Sequence, residues 1–204
     1  MPPDQPDPDA GPEAVVDDDG SNADEWLILI YKVPTEPSRL RVSVWRRLKG
    51  LGAIYLQSSA AALPAGASAE RALRKLRHEI IQMAGSAVLL RSTLLGGGSD
   101  VAAKFRAARD DEYDEIIDKC DDFLAGIDKE FHAEHFSFAE LEENEVDHTK
   151  LVNWLAKVRD RDVLGSAQRE NAESAVQRCA EALERYAQRV YAEDPDLGPH
   201  SSSS

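Results

Sequence analysis

No window of the 204-residue sequence approaches the ~18 uncharged apolar residues of a helical membrane span, so a membrane partner is not expected. Cysteine is scarce. Cys120 and Cys179 are the only two, neither belongs to a CxxC pair, and both sit in helical patterns. That fits buried thiols in a reducing compartment rather than a disulfide framework. A phosphate loop is missing too, because GlyGlyGlySer at 96–99 is not followed by the Gly-Lys-Ser/Thr such a loop requires. No Ser/His/Asp or Cys/His order points to a nucleophile. Neither an enzyme nor a cofactor is therefore expected. The opening MPPDQPDPDAGPEAVVDDDG is acidic and proline-rich, without the basic start and apolar core of a secretory signal. A cytoplasmic location is the expectation.

What the sequence does contain is charge distributed by region. Residues 1–25 hold nine acidic residues and no Lys or Arg. Residues 26–95 hold eleven Lys/Arg against three Glu, and residues 96–204 hold thirteen against twenty-six. The net charge of −14 therefore conceals a cationic segment. Such asymmetry says where an anion docks rather than how the chain folds. Nucleic acid, a small oxyanion and the chain's own acidic half all qualify.

The hydrophobic period changes along the chain. Trp26 to Val33 reads as a strand apolar on both faces, which must be covered on both sides. Ser38 is placed to cap a helix with Leu40, Val44, Leu48 and Leu51 on one face, closed by Gly50 and Gly52. Ala53–Gln57 and Ala60–Leu63 read as strands. Ser68 is placed to cap a helix bearing Leu73, Leu76, Ile80 and Met83, closed by Gly85, and Ala87–Leu95 reads as a fourth strand. The β-α-β-β-α-β order predicts a ferredoxin-like domain. Beyond it the pattern is helical over about 101–133, 137–159 and 166–192, with SerPheAlaGlu at 137–140 as a capping box. The fold class is thus α+β. Its parts are an acidic tail (1–25), a basic ferredoxin-like domain (26–95), a Gly-rich linker (96–99), an acidic three-helix region (100–193) and a second tail (194–204). The uncovered sheet face invites either the helices or a homodimer.

Two stretches are specific. WLILIYKVPTEPSRLRVSVWRRLKGLGAIYLQ, with its YKVP turn, Arg-rich helix and LGAIYLQ strand, resembles the N-terminal region of the ChrB family of chromate-resistance regulators. FAELEENEVDHTKLVNWLAKVRDRDVLG resembles the helical segment of the same family, so the likeness spans roughly 26–192. It implies a cytoplasmic regulator that binds promoter DNA and responds to chromate; full-length members carry a further C-terminal region. The hairpin SerSerAlaAlaAla is smaller than the apolar or aromatic residues expected there. The pattern is also similar to the core domain of phenylacetate-catabolism repressors and to the CRISPR-associated adaptor nucleases. In those nucleases a metal-binding Asp follows the first strand's Tyr. Here Lys32 follows Tyr31, and a cation cannot replace a hard-metal carboxylate.

The candidate DNA- or oxyanion-binding residues are Lys32, Arg39, Arg41, Arg46, Arg47 and Lys49, on or beside the first helix. At 100° per residue, Arg39 and Arg46 share a face, Arg47 lies on the opposite flank, and Arg41 falls nearer the apolar side, where it needs a partner. Arg71, Arg74, Lys75 and Arg77 on the second helix extend this surface. Ser38 with Arg39, Arg41 and Lys32 is a place for a tetrahedral dianion. His132 and His135 lie three apart but at a helix end with no third ligand fixed, so no metal site is expected. The acids Glu140, Glu142, Glu143, Glu145 and Asp147 read as an exposed helix face. RDRD at 159–162 reads as a junction with a local Arg159–Asp162 pair.

Overall fold

The computed structural model describes residues 25–193, so the tails expected at 1–25 and 194–204 lie outside it except for Glu25. The elements are β1 (Glu25–Lys32), α1 (Arg39–Gly50), β2 (Ile54–Gln57), β3 (Ala60–Pro64), α2 (Ala67–Gln82), β4 (Ser86–Thr93), α3 (Gly98–His132), α4 (Phe138–Arg161) and α5 (Arg169–Glu193). The chain divides into two units between Gly98 and Ser99. Only Gly96 and Gly97 of the expected linker remain outside a helix, because α3 opens at Gly98. Among the described residues, no helix is long and apolar enough to cross a membrane.

The first unit is mixed α and β. Its four strands form one antiparallel sheet in the order β2-β3-β1-β4. Leu27 and Leu29 of β1 are buried, as are Val44 and Leu48 of α1 and Leu73, Leu76 and Ile80 of α2. Each such side chain contributes ~1.5–3 kcal/mol by leaving water. On the other face of β1, Trp26 is buried but Ile30 is 46% exposed, beside Val88 (54%) and Leu90 (42%) of β4. The expected cover on both faces thus stops short of that end.

Helix termini explain several boundaries. Leu51 closes α1, and Gly52 takes φ +76°, its N–H donating to Lys49 O (2.9 Å) while Ala53 N–H donates to Leu48 O (3.0 Å). Glycine suits that left-handed position. Ser68 does not cap α2: Gly66 occupies the N-cap in an extended conformation and Ser68 lies inside the first turn. Glycine tolerates the N-cap nearly as well as Ser. At the other end the left-handed residue is Ala84 (φ 58°), not Gly85. Gly85 is needed for a different reason. A Cβ there would stand 2.6 Å from Lys32 O and 2.8 Å from Ile80 Cγ2.

The second unit packs α3, α4 and α5 around Tyr113, Ile116, Cys120, Leu151, Val158, Val176 and Cys179. A second cluster gathers Ile127, Leu141, Tyr186 and Val190. Small residues on α5 (Ala172, Ala175, Ala182) are buried as completely as the large ones, which lets the helices approach closely. Val152 is 42% exposed although its type suits burial; the neighbouring Leu151 takes the inward position. The capping box forms in half. Ser137 Oγ accepts from Glu140 N–H (3.3 Å), while Ser137 N–H donates to the Tyr186 hydroxyl (3.5 Å), which itself donates to His135 O (3.1 Å).

The RDRD junction is tertiary rather than local. Asp162 leaves α4 with ψ 69°, which breaks the helical spacing to Arg159. Its carboxylate accepts from the Tyr113 hydroxyl (3.3 Å) and from Ser166 N–H (3.1 Å). Arg161 donates through Nε and Nη2 to Glu112 (3.0 and 2.9 Å). Arg109 is buried beside the same Glu112, 3.4 Å away, with its guanidinium 5.0 Å from the Phe105 ring. The connection into α5 is thereby fastened to the middle of α3.

Candidate functional site

The cations of α1 begin at an unfavourable end of their helix. Arg39 and Arg41 lie in the first turn, which holds no acid, so they sit beside the positive end of the helix dipole. Ser38 occupies the N-cap position, but its side chain makes no capping bond, and Leu40 N–H donates instead to Pro37 O (3.0 Å). Only Arg47 and Lys49, in the last turn, suit the dipole.

The structure sorts these cations by partner. Arg47 is held by Glu79 of α2 in a close ion pair. Arg74 pairs with Glu70 (2.6 Å), and Arg91 bridges Glu70 (2.6 Å) and Glu25 (2.8 Å). Arg91 first, then Arg74, holds the Glu70 carboxyl below its ordinary range. Arg77 spends its Nε on Ala87 O (3.1 Å). Among the described residues, Lys32, Arg39, Arg41, Arg46 and Lys49 form no ion pair, and all five are exposed. Lys49 lies over the Trp45 ring, 5.7 Å from its centroid. Arg71 and Lys75 also face solvent. The continuous basic surface expected across both helices is thus interrupted by Glu70 and Glu79.

Two concavities divide the unpaired cations. Arg39 and Arg46 line a shallow one of about 510 Å³ with Ser38, Val42, Ser43 and Arg47. Lys32 and Arg41 line another of about 460 Å³ with Tyr31, Val33, Trp45, Tyr55, Ser58 and Ser59. Arg41 does not seek a buried partner. It is exposed, in the concavity it shares with Lys32. A third depression, with Ser38 and Arg41, also contains Glu36.

Tyr31 and Tyr55 form one wall of the Lys32–Arg41 concavity, with their hydroxyls 3.1 Å apart. They belong to β1 and β2, which are not neighbours: β3 runs between them. Tyr55 pairs with Ala61, which pairs with Leu29, two residues before Tyr31 on the same face. The phenols therefore reach across β3 to meet. Burial first, and then the hydrogen bond with Tyr31, push the Tyr55 phenol above its ordinary value, so it remains a neutral donor. Sequence reasoning missed these aromatic walls. Their signals were the strand alternation of Tyr31 with Leu29 and the helical i, i+4 spacing of Arg41, Trp45 and Lys49.

The histidines of FHAEHF do not converge. α3 ends at His132, whose Nδ1 is 2.6 Å from Asp128 O, while His135 Nδ1 is 2.8 Å from Glu130. Glu134 at φ 50° breaks the helix between them. Asp147 is engaged with Lys150 (2.7 Å). Among the described residues, no group of three or more His, Cys, Asp or Glu is placed to hold a metal ion.

A comparison with protein families matches residues 41–196 to the family described as Protein ChrB, N-terminal. The match covers about three quarters of the chain and both structural units, beginning at Arg41 within α1. Comparison with curated proteins gives no match.

Proposed function

The chain belongs to the ChrB family, and from that membership together with the unpaired cations of α1 we propose that it is a cytoplasmic, chromate-resistance-related regulator that binds DNA. The observation that carries this reading is the set Lys32, Arg39, Arg41, Arg46 and Lys49: five exposed cations on one helix and its approach strand that form no ion pair among the described residues. Phosphates are the partners such a set fits, with affinity that falls steeply with salt. The protein acts by binding and not by catalysis. The β-α-β-β-α-β order and the β2-β3-β1-β4 sheet support reading its first unit as ferredoxin-like. The exposed Ile30, Val88 and Leu90 support a homodimer through the sheet.

Chromate, a tetrahedral dianion, is the effector in this reading. Three depressions beside α1 compete for it. Glu36 lines the one shared by Ser38 and Arg41, whereas neither of the others holds a carboxylate. The one lined by Tyr31, Lys32, Arg41, Tyr55, Ser58 and Ser59 is favoured over the one lined by Arg39 and Arg46, because it adds four hydroxyls to its two cations.

The test is fluorescence anisotropy of the purified chain with duplex DNA from its own upstream region, across a salt series, with chromate and then sulfate added. Salt-sensitive binding that chromate relieves and sulfate does not supports the full reading. Binding indifferent to chromate keeps the DNA-binding part and removes the effector. Absence of binding at low salt overturns the reading in favour of a non-DNA oligomeric adaptor.

A further inference from the structure

The helical unit holds a second chemical site, independent of the DNA-binding reading. Cys120 of α3 and Cys179 of α5 are both free and completely buried. They are 59 residues apart in sequence, yet the Cys179 thiol donates to Cys120 O (3.6 Å) and both side chains belong to one buried cluster. Beside them Arg178 reaches across to Asp121, 3.8 Å away, so an ion pair between α5 and α3 sits one residue from each sulfur. Two unrelated buried cysteines would act merely as small apolar residues. A thiol that reaches the other cysteine's own backbone across two helices is different, because a disulfide needs Cβ atoms roughly 3.5–4.5 Å apart and a suitable torsion.

We propose that Cys120 and Cys179 form an oxidisable dithiol site, converted by a hydroperoxide into an intrachain disulfide that ties α3 to α5. The Cys120 thiolate attacks the distal peroxide oxygen. The O–O bond breaks, the leaving oxygen departs as water after taking a proton, and Cys120 becomes a sulfenic acid. Cys179, as thiolate, then attacks the Cys120 sulfur. The S–O bond breaks, the Cys179 proton leaves with the hydroxide as a second water, and the S–S bond forms. Two thiols lose two electrons and two protons, and the peroxide gains them. Cys120 is the attacking residue because Cys179 beside it holds its thiol below the ordinary value, against the opposing effect of burial. The hydrogen bond with Cys120 and burial push Cys179 up. Both sulfurs are inaccessible in the closed unit, so the oxidant must be small and enter as the helices breathe.

The deciding experiment treats the full chain with excess hydrogen peroxide, then denatures, alkylates and weighs it. Before treatment both cysteines are alkylated. Afterwards neither should be, the intact mass should fall by two hydrogens, and a proteolytic map should join the Cys120 and Cys179 peptides until reductant separates them. Two alkylatable thiols after treatment overturn the proposal, as does their loss to sulfinic acid or to cross-links between chains. In Cys179→Ser, folded by circular dichroism, oxidation should stop at a sulfenic acid on Cys120 that dimedone captures. If that variant does not fold, the map of the unsubstituted chain decides alone.

Discussion

Glu79→Gln should make the protein bind DNA more tightly. The prediction follows from which cations have partners. Each phosphate neutralised by a Lys or Arg contributes about 0.9 to the slope of log affinity against log salt, so at ~0.1 M one contact is worth about eightfold relative to ~1 M salt. Arg47 is already engaged by Glu79, whereas Arg39, Arg41 and Arg46 have no acid partner among the described residues. Replacing Arg39, Arg41 and Arg46 together by Ala should flatten the slope by about 2.7 and weaken binding about 500-fold at ~0.1 M salt. Arg47→Ala should cost less than about twofold, since its charge is already balanced. Glu79→Gln releases Arg47, so the slope should steepen by up to about 0.9 and affinity rise by up to about eightfold. Anisotropy titrations between ~50 and ~200 mM salt measure both quantities. Ala keeps the helix intact, which circular dichroism verifies. If Arg47→Ala costs as much as Arg46→Ala, or Glu79→Gln changes nothing, the ion pair does not govern which cations meet DNA.

The remaining expectations concern the two units separately. Tyr186→Phe removes the hydroxyl that serves His135 O and Ser137 N–H and should cost ~1–2 kcal/mol in urea unfolding of the helical unit; an unchanged midpoint would deny that bond a role. Gly85→Ala forces a methyl against Lys32 O and should destabilise the sheet unit by ~1–3 kcal/mol, read as a lower thermal midpoint. Alkaline difference spectra should show Tyr55, Tyr113 and Tyr186 ionising later than free tyrosine, chiefly because each is buried. Burial first, then the Asp162 charge, push the Tyr113 phenol from 10.0 up to about 12. Its folded value is raised, so its stabilising contribution is complete below about pH 10 and lost as pH rises through about 12.

Local pattern carried much of this molecule. Trp26–Val33 is a short run dominated by apolar and β-branched residues, Leu73, Leu76 and Ile80 recur like a helix, and Ser137 stands three residues before Glu140, so strand, helix and cap were all legible. What stayed hidden depends on residues far apart in sequence. Arg47 and Glu79 are 32 residues apart, Tyr113 and Asp162 are 49, and Cys120 and Cys179 are 59. A helical wheel placed Arg41 toward the apolar side but could not show that it faces solvent beside Lys32. Ser68 was plausible chemistry two residues too late, since Gly66 already held the extended conformation a cap needs. Ala172, Ala175 and Ala182 fill core positions that hydrophobic periodicity undervalues, because small side chains weigh little in such patterns.

The blandest strand is the one least free to drift. Ala61 touches no ligand in any reading of the site, and a Val or Ile there would suit a strand better by every propensity. Yet Ala61 pairs with Tyr55 on one side and Leu29 on the other, in the strand across which the Tyr31 and Tyr55 hydroxyls meet. A branched side chain there should crowd the two rings, changing the width of the recess beside Arg41 without altering a single charge. Across related sequences, an exchange at this position should travel with an exchange at Tyr31 or Tyr55, in the manner of a spacer and the span it was cut to fit.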